Sequence, residues 1–298
     1  MRHTGAADPD CAISQALAVV GDAWTLLLIR DVAGGTHQFD ALQGALGISR
    51  KVLTERLKAL VADGVLEKRL YRSRPPRYEY HLTGSGRGLL PVLVALQDWG
   101  GRYVLGDGSL SGTSTADSAE TRRVLALTGR RLPGLDLPAA SGGRVDPVAA
   151  DRTWTVLYCY PGAYAPGGPD YPPGWNTVPG AAGCTLESCT YRDRMDEFAA
   201  RDAAVYGVST QRPDQLAAFA DHARIPFPLL SDAELQLAAA LRLPTFRAAG
   251  VDRLKRLTLV LDATRTVRGV LYPVTDPAGS VEDALALLDS LRPPDHAA

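Results

Sequence analysis

The chain has 298 residues, of which 46% are hydrophobic and 22% charged, and its net charge is −1. That is the composition of a globular protein long enough for two domains. No apolar run reaches the ~18 residues of a membrane helix, and the N-terminus MRHTGAADPD lacks the apolar core of a signal peptide, which excludes a membrane protein and argues against secretion. Four cysteines are too few for a disulfide scaffold. The charge is uneven: residues 1–105 carry +3, residues 106–298 carry −4, and Arg50–Arg77 alone carries +6. A basic stretch of this kind is either a solvated face or the contact for an anionic partner such as a phosphate backbone.

In chain order, helices are predicted over Cys11–Val20, Ala23–Val32 and Phe39–Leu46. Gly47-Ile48-Ser49 reads as a turn with Ser49 as N-cap of a fourth helix, Arg50–Ala62. There Val52, Leu53, Leu57, Leu60 and Val61 recur at helical spacing and face a core, leaving Arg50, Lys51, Thr54 and Lys58 to point outward. Two strands, Val65–Tyr71 and Arg77–Leu82, are joined by the basic loop Arg72-Ser73-Arg74-Pro75-Pro76. An amphipathic helix, Gly86–Tyr103, closes the segment. Gly84-Ser85-Gly86-Arg87-Gly88 has the wrong spacing for a nucleotide loop and reads as the turn into that helix. Three helices, a basic fourth helix and a basic hairpin make a winged helix-turn-helix. Such a fold presents Arg50, Lys51 and Thr54 to the major groove and Arg72, Arg74 and Arg77 to the DNA backbone. The same fold can also serve protein contact.

These residues resemble the HxlR-type bacterial transcription regulators over 11–104. The matching stretches are Cys11, Gly21-Asp22-Ala23-Trp24-Thr25, Ile48 to Leu57, Asp63-Gly64, Pro75 to Tyr80, and Asp98-Trp99. The resemblance implies a homodimer built on the terminal helices, here Leu89–Tyr103. It also implies that Cys11 stands where several members sense oxidants; the competing reading of Cys11 is a small buried hydrophobe.

Residues 106–121 are rich in Gly, Ser, Thr and Asp and read as a flexible linker, and the tail RPPDHAA reads as disordered. The domain boundaries expected are therefore 1–105, 106–121 and 122–298. In the last of these, strands are predicted at Trp154–Tyr160, Val205–Ser209, Leu257–Leu261 and Val267–Tyr272. Helices are predicted from Cys184 through Ala200, over Pro213–Ala223, from a capping box at Ser231 through Leu241, and over Ser280–Leu291. A long Pro- and Gly-rich loop separates Pro161 from Gly183. The order of elements is that of an α/β thioredoxin-like fold.

Cys184 opens a helix, and free N–H groups at a helix start lower a thiol's pKa. Cys189 lies five residues later, about 7.5 Å along the axis and on another face. A disulfide between the two requires the first turn to unwind. Paired cysteines can also hold zinc or sit as buried thiols. The other sulfur or imidazole ligands of this segment are Cys159, His222 and His296, which are poorly spaced for zinc, so neither metal nor cofactor is expected.

This segment resembles the peroxiredoxins, specifically the class called PrxQ or bacterioferritin comigratory protein. The motifs are Tyr160-Pro161, Gly183-Cys184-Thr185-x-x-Ser188-Cys189, Tyr206 to Ser209, Pro226 to Asp232, and Arg256 to Asp262. The resemblance implies that Cys184 attacks a hydroperoxide and becomes a sulfenic acid, that Cys189 resolves it as a disulfide, and that Arg256 and Pro161 complete the catalytic set. Arg256 can alternatively be a solvated charge at a strand edge. One departure matters: the family has Pro-x-x-x-Thr/Ser-x-x-Cys, whereas here Pro161 lies 23 residues before Cys184 and Ala181 occupies the hydroxyl position. Thr177 is a candidate substitute.

The expectation is a cytoplasmic, redox-responsive regulator. It would bind a double-stranded DNA operator as a homodimer and consume hydroperoxide with a thiol reductant such as a thioredoxin, away from membranes. The alternatives are a peroxide sensor with little turnover and a redox-regulated interaction protein.

Overall fold

A computed structural model describes residues 10–168 and 171–291. The readings of the N-terminal leader, of the tail and of His296 lie outside these residues. The chain falls into two compact units, Met1–Leu93 and Val94–Ala298.

In the first unit α1 is Ala12–Val20, α2 Ala23–Ala33, α3 Phe39–Leu46 and α4 Arg50–Ala62; β1 (Leu66–Ser73) and β2 (Pro76–Leu82) form an antiparallel hairpin. Local chemistry sets these bounds. Asp22 caps α2, accepting the Thr25 N–H at 3.1 Å, and its other carboxylate oxygen pairs with Arg56 of α4 at 3.3 Å. Gly47 ends α3 in the left-handed region and Ser49 caps α4, as its position predicts. Leu53, Leu57 and Leu60 join Leu28, Ile29, Leu42 and Val65 in one core. The hairpin is tighter than expected: Arg72 and Ser73 continue β1, and the connection shrinks to Arg74-Pro75. The glycine-rich Gly84–Arg87 is a short helix, α5, capped by Thr83. A Cβ on Gly86 would lie 2.2 Å from the Val65 carbonyl oxygen, so only glycine fits there. Then α6 (Leu90–Trp99) runs from the first unit into the second, where a π-turn, Gly100–Val104, follows.

The second unit is thioredoxin-like α/β. After α7 (Ala119–Leu125) and the small hairpin β3 (Leu137–Pro138) and β4 (Arg144–Val145) comes β5 (Trp154–Cys159). The chain continues through α8 (Cys184–Asp193), α9 (Met195–Ala199), β6 (Ala203–Ser209), α10 (Pro213–Ala223), β7 (Leu229–Ser231) and α11 (Gln236–Leu241). A second hairpin, β8 (Thr245–Ala248) and β9 (Val251–Leu254), precedes β10 (Leu257–Asp262), β11 (Val267–Leu271) and α12 (Gly279–Leu291). The central sheet has the order β11-β10-β5-β6-β7, with β5, β6 and β7 parallel and β10 antiparallel to both its neighbours. Val156 and Tyr158 of β5, and Tyr160 just beyond its end, share one core with Tyr191, Phe198, Phe219 and Leu285.

Several expectations need correction. The helix from Cys184 to Ala200 breaks at Arg194, whose guanidinium is held by Glu197 and Glu282. Ser231 is no capping residue: it ends β7, and its hydroxyl donates to the Gln211 carbonyl at 2.5 Å. The α11 N-terminus is instead capped from a distance by Asp232, which accepts the N–H groups of Leu237 and Ala238 at 2.9 and 2.8 Å. Residues 106–121 are not a bare tether. Gly112 donates to the Pro179 carbonyl at 2.7 Å, Lys255 donates to the Thr113 carbonyl, and Ser118 caps α7. Small polar residues suit close backbone approach and capping as well as they suit flexibility.

Candidate functional site

The carboxyl end of β5 meets the N-terminus of α8, the usual place for chemistry in an open α/β sheet. Gly183 is the N-cap of α8 at φ +99°, and a Cβ there would lie 2.5 Å from Pro277. This glycine turn delivers Cys184 to the first helical position. Cys184 is buried, 2% exposed, beneath an open pocket of about 280 Å³ lined by Tyr171, Trp175, Asn176, Ala182, Thr185 and Leu186.

Arg256 comes from the loop before β10 and is 1% exposed, so it is no solvated strand-edge charge. Its Nη2 lies 3.4 Å from Cys184 Sγ and donates at 2.9 Å to the Ala182 carbonyl, while Nη1 donates to Glu187. Glu187 is the residue that sequence reasoning missed. It is fully buried one turn after Cys184 and is further held by the Ser280 hydroxyl at 3.4 Å. Burial pushes its carboxyl up to about 7, against the pull of Arg256. A glutamate three residues into a helix resembles an ordinary first-turn acid; only the partner 69 positions away gives it another role.

The thiol itself corrects an expectation. Burial pushes Cys184 above the ordinary range of a thiol; Arg256 opposes that, Glu187 adds to it, and the Gly162 N–H opposes it. The helix start alone therefore does not lower this pKa: desolvation outweighs it. Sγ also donates to the Ala181 carbonyl at 3.5 Å. Cys189 is a free, half-buried thiol with the Arg192 side chain beside it. Cys159 is free and buried inside β5, and burial pushes its thiol far up, as befits an inert core residue.

The insertion after Pro161 is a built structure. Arg253 of β9, 4% exposed, donates to the Pro161 carbonyl at 3.2 Å and to the Tyr164 hydroxyl at 3.1 Å. It also lies over the Trp175 ring at 4.8 Å. Gln211 holds Ala163 by both backbone groups, at 2.8 and 2.7 Å. Pro161 thus anchors the loop through its carbonyl. Thr177 is exposed and donates to Gly174 at 2.7 Å, outside the pocket lining. Arg253 lay in no motif, and the residues it joins are about 90 positions away.

In the first unit Lys51 and Thr54 are exposed on α4, as are Arg72, Arg74 and Arg77 on the hairpin. Arg50 is also exposed but is tied back to α3, pairing with Asp40 at 3.0 Å and lying over Phe39. Cys11 caps α1 without a side-chain bond and is half-buried. Large apolar side chains stand in solvent along α6 and its extension, among them Leu96, Trp99 and Tyr103. Among the described residues no three His, Cys, Asp or Glu side chains gather where they could hold a metal, and no single helix is long and apolar enough to cross a membrane. One pair, α1 and α2, has the combined length and composition but bends by 75°.

Together these features define a helix-turn-helix unit followed by a thioredoxin-like unit with a cysteine at a helix start. Comparison with known proteins sharpens this class. The pattern described as HxlR-like helix-turn-helix matches residues 19–107, and that of the AhpC/TSA family matches 175–270. An uncharacterised HTH-type transcriptional regulator of Mycobacterium tuberculosis is 41% identical over 93 residues, 31% of this chain and 59% of its own length. The chain thus spans about three-fifths of that relative. A similar regulator of Bacillus subtilis is 33% identical over 94 residues, 73% of its length. A M. tuberculosis protein that carries the name of a peroxiredoxin is 31% identical over 167 residues, 55% of this chain and 97% of its own length. The crystal structure of peroxidoxin BcpB from M. tuberculosis is 30% identical with a TM-score of 0.46, covering 56% of this chain and 98% of that one. The chain belongs to the HxlR-like helix-turn-helix regulators through its N-terminal part and to the peroxiredoxins through its C-terminal part.

Proposed function

We propose that the protein is a redox-responsive DNA-binding regulator whose C-terminal part is a thiol peroxidase. The observation that carries the peroxidase reading is the Cys184 thiol at the start of α8, 3.4 Å from a buried guanidinium and open to a pocket. Arg256 favours the thiolate and holds negative charge as it shifts onto the peroxide oxygens. Cys184 takes one oxygen and becomes a sulfenic acid; after α8 unwinds at its start, Cys189 condenses with it to a disulfide, releasing water. A thiol reductant such as a thioredoxin restores both thiols. These reducible thiols fit the cytoplasm.

The α4 face and the basic hairpin support binding of an operator by a homodimer, and the exposed apolar residues of α6 support that dimer. Redox response follows from remodelling at Cys184 or from direct oxidation of Cys11. The second reading, a sensor with little turnover, is favoured by Ala181 at the missing hydroxyl and by the raised Cys184 thiol.

The deciding experiment is steady-state peroxide consumption with a thiol reductant. The parent turns over and Cys184→Ser does not; equal rates would overturn the assignment, and a single parental turnover would select the sensor. Operator affinity of the parent, Cys11→Ser and Cys184→Ser proteins, reduced and peroxide-treated, separates the two response routes. Equal affinity in every state would remove the coupling.

A further inference from the structure

Breaking a peroxide O–O bond leaves an alkoxide or hydroxide that needs a proton, and the Arg256 guanidinium and Gly162 N–H around Cys184 can hold charge but cannot give up a proton. Arg256 spends Nη1 on Glu187 and Nη2 on Ala182 and Sγ, and the Gly162 N–H faces Sγ. The residue three before the cysteine, Ala181, is fully buried and has no hydroxyl. Apart from Cys184, the polar side chains of the pocket are Tyr171, Asn176 and Thr185. An amide is a poor acid and an alcohol a weak one; a phenol is far stronger.

We propose that the Tyr171 phenol protonates the oxygen that leaves when Cys184 attacks a hydroperoxide, taking over the part of the hydroxyl absent at Ala181. This rests on the peroxidase reading above. Tyr171 is placed by the insertion itself. Its ring meets Tyr164 edge-on at 5.1 Å and stacks on Trp175 at 5.5 Å. Arg253 grips both of those residues from beneath, and Trp175 packs on Phe246 in a small separate core with Ala181. Tyr171 lines the same open pocket as Cys184 and Thr185 and is itself 39% exposed. Burial and then Cys184 push its pKa up, which keeps it a proton donor at neutral pH. The stretch that separates Pro161 from Cys184 thus brings its own hydroxyl on a clamped aromatic stack.

The step balances. The Cys184 thiolate attacks the terminal oxygen of R–O–O–H, the S–O bond forms as the O–O bond breaks, and the sulfur is oxidised by two electrons. The sulfenic acid keeps the peroxide proton. The departing RO⁻ takes the Tyr171 proton and leaves as ROH, and the phenolate recovers a proton from water in the open pocket.

The test is stopped-flow reaction of the reduced full-length protein with hydrogen peroxide, paired with alkylation of Cys184 by iodoacetamide. Iodide leaves without a proton, so alkylation reports on the thiolate alone. Tyr171→Phe removes one oxygen and keeps the ring stack. Its peroxide rate should fall by about 10²-fold, the scale of a lost general acid, while its alkylation rate stays at the parental value. Tyr160→Phe is the control, because that phenol also lies near Cys184 and is fully buried. A Tyr171→Phe protein that reacts at the parental rate overturns the proposal. So does a parallel loss of peroxide and alkylation rates, or a loss seen in Tyr160→Phe alone. Failure of the peroxidase reading looks different: the parent itself would react no faster than Cys184→Ser.

Discussion

Arg72, Arg74 and Arg77 stand in solvent on the hairpin of the N-terminal unit, whereas Arg256 in the C-terminal unit is 1% exposed and bound to Glu187, Ala182 and Cys184. A solvated guanidinium costs little to hold and attracts any phosphate by releasing counterions, without choosing among partners. A desolvated one needs partners for its charge and donors, for Arg256 the Glu187 carboxylate, and once paired it acts on one atom with little water to screen it. The same side chain therefore gives diffuse attraction in one unit and a directed contact in the other, and solvent makes the difference.

Removing the buried member tests this contrast hardest. Arg256→Met should lower the peroxide rate by roughly 10²–10³-fold, as for other lost charge-stabilising donors. It should also cost about 3–5 kcal/mol of stability by stranding Glu187. Urea unfolding and stopped-flow measure the two effects, and adding Glu187→Gln should restore stability without restoring rate. A single variant that keeps the parental rate would place Arg256 outside the chemistry.

Cys189→Ser should leave the first peroxide turnover intact and halt the second, with sulfinic acid accumulating on Cys184, visible as added oxygen mass. If turnover continued unchanged, Cys189 would not be the resolving thiol.

Glu187 sharpens the comparison through pH. Its folded pKa, about 7, lies above the ordinary 4.5. The stability it contributes is therefore fully present below the unfolded value and is lost as pH rises through the folded one. Relative to Glu187→Gln, the parent should lose on the order of 3 kcal/mol between about pH 4.5 and above pH 7, read from urea midpoints at each pH. A difference that stays flat across that window would show that the carboxyl ionises normally.

The exposed arginines should give the smallest effects. Arg74→Ala should weaken binding to every DNA sequence alike and flatten the salt slope by roughly one unit. Lys51→Ala or Thr54→Ala should instead relax specificity at one base position, worth about 1–3 kcal/mol. Arg50, already paired with Asp40, must break that contact to reach a base, so Asp40→Asn should tighten binding slightly.

Much of this was legible from short-range signals. The α4 pattern and its Ser49 cap, the alternating basic hairpin and the apolar β5 run are repeats of three to seven residues, and local periodicity writes them directly. Short motifs brought both families into view, Gly21 to Thr25 and Ile48 to Leu57 among those of the first and Gly183 to Cys189 of the second. Tertiary contact decided what periodicity cannot encode. Glu187, an unremarkable helical acid in one dimension, becomes the buried partner of Arg256. Arg253 becomes the clamp of the Pro161 loop, and Tyr171, ten residues before Ala181, comes to line one pocket with Cys184. The thiol's raised pKa belongs to the same class, because burial is a property of everything that surrounds an atom. Ser231 shows the converse failure: a good capping sequence lost to a strand, because pairing of β7 with β6 and a bond to Gln211 outweighed the local preference.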